Sequence, residues 1–268
     1  MTTFVAVLGF PIRHSRSPAM MNAALAELGL DWRYLGLSIP PLRFAETVRA
    51  LPGTGYVGAN VTMPHKLAAC ALADELTPAA RAIGAVNTLT FESDRIVADN
   101  TDAGGLLDAL EQPVAGWRAV VLGAGGAARA VVWALREAGA EVAIWNRTRA
   151  RAHALAAEFE VGLHTPGSAA PTSAEAPALV VNTTSVGLTP GSSLADLPLV
   201  GLEPALVVDL VYGLRPTLVE QWAEGRQARV VSGLEVLVRQ GARSLERWTG
   251  QPAPVATMRT AAAGRQLV

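Results

Sequence analysis

Short apolar runs alternate with stretches in which apolar residues recur at helical spacing. Phe4–Leu8, Tyr34–Ile39 and Tyr56–Val61 are brief runs bounded by glycine, proline or polar loops, which predicts strands. Ser17-Pro18 carries a hydroxyl at a cap position and a proline at the first helical one, so a helix is expected through AMMNAALAEL, stopping at Gly29. Arg43–Leu51 predicts a second helix, and a third is expected to open near Pro64. Val86–Phe91 and Arg95–Ala98 predict a hairpin across Glu92-Ser93-Asp94. This half reads as mixed α/β.

From Trp117 the rhythm is more regular. Arg118–Leu122 predicts a strand, followed by GAGGAA and a helix running through Ala138 to Gly139. Glu141–Trp145 predicts the next strand and Thr148–Phe159 the next helix; Leu179–Asn182 and Leu206–Leu210 predict two more strands. Such alternation predicts a parallel sheet covered by helices on both faces. Residues 166–177, PGSAAPTSAEAP, read as a variable loop. A long helix is expected over Leu234–Trp248 and a short one over Val255–Ala263, both returning to the first half. The expected fold is therefore α/β with two domains. Residues 1–101 plus 238–268 are expected to form a mixed α/β domain, and 102–237 a Rossmann-type doubly wound domain.

Of the 268 residues 50% are hydrophobic and 17% charged, enough for a packed core. A net charge of −1 with no basic block argues against nucleic acid and against a membrane surface as partner. No apolar run is long enough to span a bilayer, and the first residues lack a charged stretch followed by a long apolar one. A cytoplasmic monomer or homodimer acting on a small molecule is the expectation. Cys70 is the only cysteine, which excludes an internal disulfide and a cysteine-rich zinc site, and no metal is expected.

The 22 basic residues comprise 21 arginines and one lysine, Lys66. Guanidinium holds its proton near neutral pH, whereas an ammonium can release one, so the lone lysine is a candidate for proton transfer. In ANVTMPHK it sits in the first turn of the expected helix, where the helix dipole disfavours positive charge. Asn60 and Thr62 precede it with strand period, on one face, and both are candidate substrate contacts. Asp102, in Asn100-Thr101-Asp102, reads either as a cap or first-turn acid or as the partner of Lys66. Asn87 is polar within an apolar strand and so needs a partner. Ser15 and Ser17 flank Arg16; Ser17 reads as a cap, or the pair as a carboxylate site.

VVLGAGGAARA has the order strand, Gly123-x-Gly125-x-x-Ala128, helix. Gly123 permits the tight turn, Gly125 lets backbone approach a pyrophosphate, and Ala128 allows close helix packing. NAD-binding chains usually carry an acid at the end of the following strand. Here EVAIW runs into Asn146-Arg147-Thr148-Arg149-Ala150-Arg151, with no carboxylate and with guanidinium groups suited to a 2′-phosphate. NADP is therefore expected over NAD, with 102–237 as the NADP-binding domain and 1–101 plus 238–268 as the substrate domain.

The sequence resembles the shikimate dehydrogenase family over nearly its whole length, through HSRSP, ANVTMPHK, GAVNTL, NTDAGG, GAGGAAR, NRTRAR, NTTSVG, DLVY and SGLEVLVRQ in that order. The resemblance implies reversible NADPH-dependent reduction of 3-dehydroshikimate to shikimate, in aromatic amino acid biosynthesis. It implies that Ser15 and Ser17 hold the substrate carboxylate, and that Thr62, Asn87, Asp102, Tyr212 and Gln240 contact the substrate. Lys66 matches the catalytic lysine and Asp102 its partner. Gly123, Ala124, Gly125, Gly126 and Ala127 match the pyrophosphate loop. Asn146, Arg147, Thr148 and Arg151 match the adenosine-phosphate loop, and Leu210 and Gly233 lie at positions near the nicotinamide. Val236 stands where the family commonly has methionine. Two other readings are a quinate/shikimate dehydrogenase using NAD, and a non-catalytic NADP-binding regulatory protein. An acid after the second strand would favour the former; loss of Lys66 or Asp102 would favour the latter.

Overall fold

Val5-Ala6-Val7-Leu8 are all buried, as a strand covered on both faces requires. They lie in β1 (Thr3–Gly9), a central strand of a six-stranded mixed sheet. The computed structural model describes residues 2–166, 178–188, 191–213 and 215–264; all but the first residue of the loop expected at 166–177 lies outside them. The chain divides into two units, Met1–Gly105 with Leu237–Val268, and Leu106–Val236. It crosses from one to the other within two helices, α5 (Asp102–Leu110) and α9 (Gly233–Thr249).

In the first unit β1 is joined by β2 (Trp32–Ser38), β3 (Tyr56–Val61), β4 (Glu75–Leu76), β5 (Thr88–Glu92) and β6 (Arg95–Asp99), in the order β2-β1-β3-β5-β6-β4. β1 runs parallel to β2 and β3, while β5 is antiparallel to both β3 and β6. Ala6, Leu8, Val61, Leu89 and Ala98 of the sheet pack with Phe44 and Val48 of α2 (Phe44–Ala50). The remaining helices are α1 (Ser17–Glu27), α3 (Lys66–Leu72), α4 (Pro78–Ile83) and α10 (Val255–Ala263), the last packed on α1. The return of the C-terminal helices to the first unit is the arrangement that the order of elements predicts.

The second unit contains β7 (Arg118–Leu122), α6 (Gly126–Glu137), β8 (Glu141–Trp145), α7 (Arg149–Phe159), β9 (Gly162–Leu163), β10 (Ala178–Asn182), β11 (Leu206–Asp209), α8 (Leu218–Glu224) and β12 (Arg229–Val231). All six strands are parallel, in the order β12-β11-β10-β7-β8-β9. Counted from β7 this is the 3-2-1-4-5-6 order of a doubly wound dinucleotide-binding sheet.

Local corrections follow from the capping chemistry. Ser17 is the first residue of α1 and Arg16 its cap; the Ser17 N–H donates to Ser15 Oγ at 3.3 Å. Pro64 lies in the turn before α3, after a cis Met63–Pro64 bond, and the helix itself opens at Lys66. Two short helices went unread although each carries a start signal. Thr77 caps α4 ahead of Pro78, and Thr217 with Glu220 forms a capping box on α8.

Candidate active site

Sheet direction brings the candidate residues of the first unit to one edge. β1, β3 and β6 all run toward that edge, and β5 starts from it, with Thr88 opposite Asn60 and Asp99. The loops leaving β1, β3 and β6 carry Ser15 and Ser17, Thr62 and Lys66, and Asp102, while Asn87 immediately precedes β5. This is the carboxyl edge of the parallel strands, where side chains on loops can face a ligand while the sheet holds the loops still.

Lys66 begins α3 and Asp102 begins α5, 36 residues apart in sequence. Nζ of Lys66 donates to Oδ2 of Asp102 at 2.5 Å, and both side chains are only partly exposed, 15% and 16%. Asp102 is the first-turn acid of α5 with its carboxylate turned to the lysine, and Asn100 Oδ1 accepts from the Ala103 N–H at 3.3 Å. The second carboxylate oxygen accepts from Asn87 Nδ2 at 2.9 Å. The same amide nitrogen lies 2.9 Å from Thr101 Oγ1 and 3.1 Å from Gln240 Oε1, so its two hydrogens serve three acceptors. Asn87 Oδ1 accepts from the Thr101 N–H at 2.7 Å, which fixes the amide's orientation.

Beneath this pair lies a buried polar layer. Ser244 Oγ on α9 sits 2.9 Å from Asn60 Nδ2, 2.9 Å from Thr88 Oγ1 and 3.0 Å from Thr101 Oγ1. Asn60 Oδ1 accepts from the Tyr34 hydroxyl at 2.7 Å. Both ends of the Asn60 amide are therefore engaged inside the protein, where they brace the edge of the sheet. Ser244, Thr88, Thr101 and Tyr34 escaped the sequence reading. Thr101 and Thr88 adjoin the motif residues, but nothing in the local pattern of α9 distinguishes Ser244 from an ordinary helical serine.

Ser15 and Ser17 are buried at the start of α1 and bond to each other through the Ser17 N–H. Thr62 is half-buried just after β3, its N–H on the Leu8 carbonyl of β1. His65, the cap residue before Lys66, is stacked on Phe44 with ring centres 4.2 Å apart, and its Nε2 lies 2.8 Å from the Ile39 carbonyl. Burial lowers its pKa, while the Ile39 contact acts in the opposite sense. Gln240 is buried on α9, with Nε2 donating to the Leu237 carbonyl at 2.8 Å.

In the second unit Gly123 has φ +120°, open to glycine alone, and a Cβ there would collide with the Thr183 hydroxyl. Ala124 follows, and Gly125 caps α6 with open space where a Cβ would stand. Gly126 and Ala127 begin the helix, so backbone N–H groups face outward at its positive end. At the end of β8, Asn146 Nδ2 donates to the Thr148 carbonyl, and Arg147, Thr148, Arg149 and Arg151 are exposed. Leu210 lies just past β11 with its N–H on the Asn182 carbonyl at 2.9 Å. Tyr212 lines a cavity of about 350 Å³ with Gly187, Val211, Gly213, Arg215 and Gln221. Gly233 packs against the backbone there: a Cβ would lie 2.7 Å from the Asp209 and Val211 carbonyl oxygens.

Among the described residues no cluster of three or more His, Cys, Asp or Glu could hold a metal, and no helix is long and apolar enough to cross a membrane. A doubly wound parallel sheet with an open glycine turn and no acid after its second strand, in one chain with a lysine–carboxylate pair at a sheet edge, defines the class of Rossmann-type dinucleotide-binding proteins with an appended polar site. Family models agree on the finer placement. The shikimate dehydrogenase substrate-binding domain matches residues 7–89, shikimate/quinate 5-dehydrogenase matches 107–186, and the shikimate 5′-dehydrogenase C-terminal domain matches 233–263. The shikimate dehydrogenase (NADP+) of Anaeromyxobacter dehalogenans is 43% identical, covering 99% of this chain and 97% of its own length. That of Symbiobacterium thermophilum is 44% identical over 96% and 92%. The crystal structure of shikimate 5-dehydrogenase from Thermus thermophilus, solved with NADP(H) and shikimate, superposes with a TM-score of 0.85 at 41% identity, covering 97% and 98% of the two chains. The chain belongs to the shikimate dehydrogenase family.

Proposed function

We propose that this chain catalyses the reversible NADPH-dependent reduction of 3-dehydroshikimate to shikimate. The observation that carries the reading is the 2.5 Å contact between Lys66 Nζ and Asp102 Oδ2 at the carboxyl edge of the first sheet. An ammonium held against a carboxylate, beside a buried amide that orients it, suits proton transfer to a developing alkoxide. Ser15 and Ser17 take the substrate carboxylate, and Thr62, Asn87, Asp102, Tyr212 and Gln240 take its hydroxyls and ring. Lys66 gives a proton to the carbonyl oxygen in reduction and takes it back in oxidation. Asp102 holds the lysine in place and accepts from a substrate hydroxyl.

The second unit fits NADP. The N–H groups at the start of α6 suit the pyrophosphate, with Gly123 to Ala127 around it. Asn146, Arg147, Thr148 and Arg151 suit the 2′-phosphate, and the absence of a carboxylate from residues 146 to 151 removes the usual partner of an NAD ribose. Leu210 and Gly233 border the nicotinamide, which when bound supplies or accepts the hydride. The test is direct: full-length protein is mixed with shikimate and NADP+, and NADPH is followed by its absorbance, with NAD+ and quinate run in parallel. Growth of NADPH, fastest with shikimate and NADP+, is the expected result; none above background overturns the reading.

A further inference from the structure

Asp209 is fully buried at the end of β11, yet no role in cofactor or substrate binding falls to it. Its Oδ1 accepts from Asn182 Nδ2 at 2.8 Å and from the Val211 N–H at 3.1 Å, and its Oδ2 from the Thr217 hydroxyl at 2.5 Å. Each partner ties down a different segment. Asn182 ends β10, and its Oδ1 accepts both the N–H and the hydroxyl of Thr184, bracing the loop that places Thr183 against Gly123. Val211 belongs to the turn Leu210–Gly213. Thr217 caps α8, where its oxygen also accepts the Glu220 N–H. On the other side Gly233 lies against the carbonyls of residues 209 to 211, leaving that turn no room to shift.

We propose that Asp209 is a positioning residue: its buried carboxylate fixes the turn Leu210–Gly213, and so sets the places of Leu210 and Tyr212. The roles of those two residues rest on the functional reading above; the anchoring itself rests on the hydrogen bonds alone. Three donors converge on the carboxylate, and all three match the ionised form, which only accepts. A protonated Asp209 brings a hydrogen of its own into that ring of donors, so the Thr217 hydroxyl must turn to accept it or move away, and the pattern of three donors is lost. The ionisable groups on the surrounding elements include Tyr212 and Arg215 in the loop, Glu220 and Glu224 on α8, Arg229 on β12, and Glu235 and Arg239 on α9. Burial pushes the pKa of Asp209 up, to about 6, and the charge of Glu220 adds to that rise. The anchor is thus poised to loosen locally in mildly acidic solution while Asp209 itself stays buried, a step distinct from the global unfolding that exposes it.

The experiment follows amide hydrogen exchange at Val211 in the ligand-free protein, corrected for intrinsic pH dependence, alongside NADP+ affinity by calorimetry and kcat and KM for shikimate. Protection at Val211 and NADP+ affinity are expected to fall together as pH drops through about 6, and Asp209→Asn should weaken both at every pH and abolish that step. Thr217→Val removes a bond to the charged form and should move the step to higher pH; Thr217→Ser should leave it in place. Where Asp209→Asn does not fold, the threonine pair decides. Coincident steps in Thr217→Val and wild type, or wild-type protection in Asp209→Asn, would overturn the inference. A wild type with this exchange behaviour but no turnover of shikimate overturns the functional reading and leaves the anchor standing.

Discussion

Gly105 of α5 and Gln240 of α9 meet backbone to backbone. A Cβ on Gly105 would lie 2.6 Å from both the Gln240 nitrogen and its Cβ, and α9 would have to move away. Gln240 Oε1 would then leave Asn87, and the amide that orients Asp102 would lose one acceptor. Ala in a helix normally gains about 0.5–1 kcal/mol over Gly. Overpacking here is expected to cost roughly 1–3 kcal/mol, more than that gain. Gly105→Ala should therefore lower Tm, whereas Gly104→Ala meets only the flexible Arg243 guanidinium and should stay close to wild type. Thermal melts of the two variants decide; equal Tm values would contradict the close-packing argument.

Ser244→Ala is expected to be costly for the loss of a single oxygen. The hydroxyl serves Asn60, Thr88 and Thr101 in a layer closed to water. Leaving buried partners unsatisfied costs about 1–3 kcal/mol. Urea unfolding should report that loss, with kcat falling less than stability because the lysine pair above remains.

Lys66→Ala should reduce kcat by about 10²–10⁴ while NADP+ affinity stays near wild type, since the residue moves a proton and its unit carries none of the assigned cofactor contacts. Lys66→Arg should also be slow, because guanidinium keeps the charge but does not release the proton. Wild-type turnover in either variant would remove the lysine from the chemistry.

Arg147→Ala should raise KM for NADP+ by about tenfold with little effect on KM for NAD+, the signature of a lost charge-assisted contact to phosphate. Initial rates with both cofactors measure the ratio. An equal effect on the two would place the 2′-phosphate elsewhere.

Asp209 also makes stability depend on pH. Its folded pKa is raised from an ordinary 3.8 to about 6, so between those values the folded chain binds more protons than the unfolded one. By linkage, this group makes the fold less stable as pH rises from about 4 to 6. The full excursion is about 3 kcal/mol, from roughly 1.4 kcal/mol per pKa unit. The Tm of Asp209→Asn relative to wild type should accordingly climb across that window; a flat difference would contradict the raised pKa.

The strands and long helices were legible because their apolar runs and helical spacing are local properties. Lys66, Asp102, Asn87 and the glycine turn were legible because each breaks its local pattern: a lone lysine, a polar residue in an apolar strand, glycines after a strand. Ser244 and Asp209 were not legible as parts of the architecture. Their importance lies in partners far away in sequence, 184 residues from Asn60 in one case and 27 from Asn182 in the other. Asn60 shows the same limit: strand period tells which face it takes, but the Tyr34 hydroxyl and α9 that engage its amide belong to other segments. Ser17 looked like a cap because serine before proline usually is one, and the preceding Ser15 took up its N–H instead.

The solitary lysine has an analytical consequence. In a chain with 21 arginines and a single side-chain amine, acylating or carbamylating reagents have one side-chain ammonium to find, and it is clasped by Asp102. Covalent labelling followed by peptide mass measurement, which separates residue 66 from the α-amino group, would thus report on this one position without mutagenesis, and a molecule seated over it would be read directly as slower uptake of label.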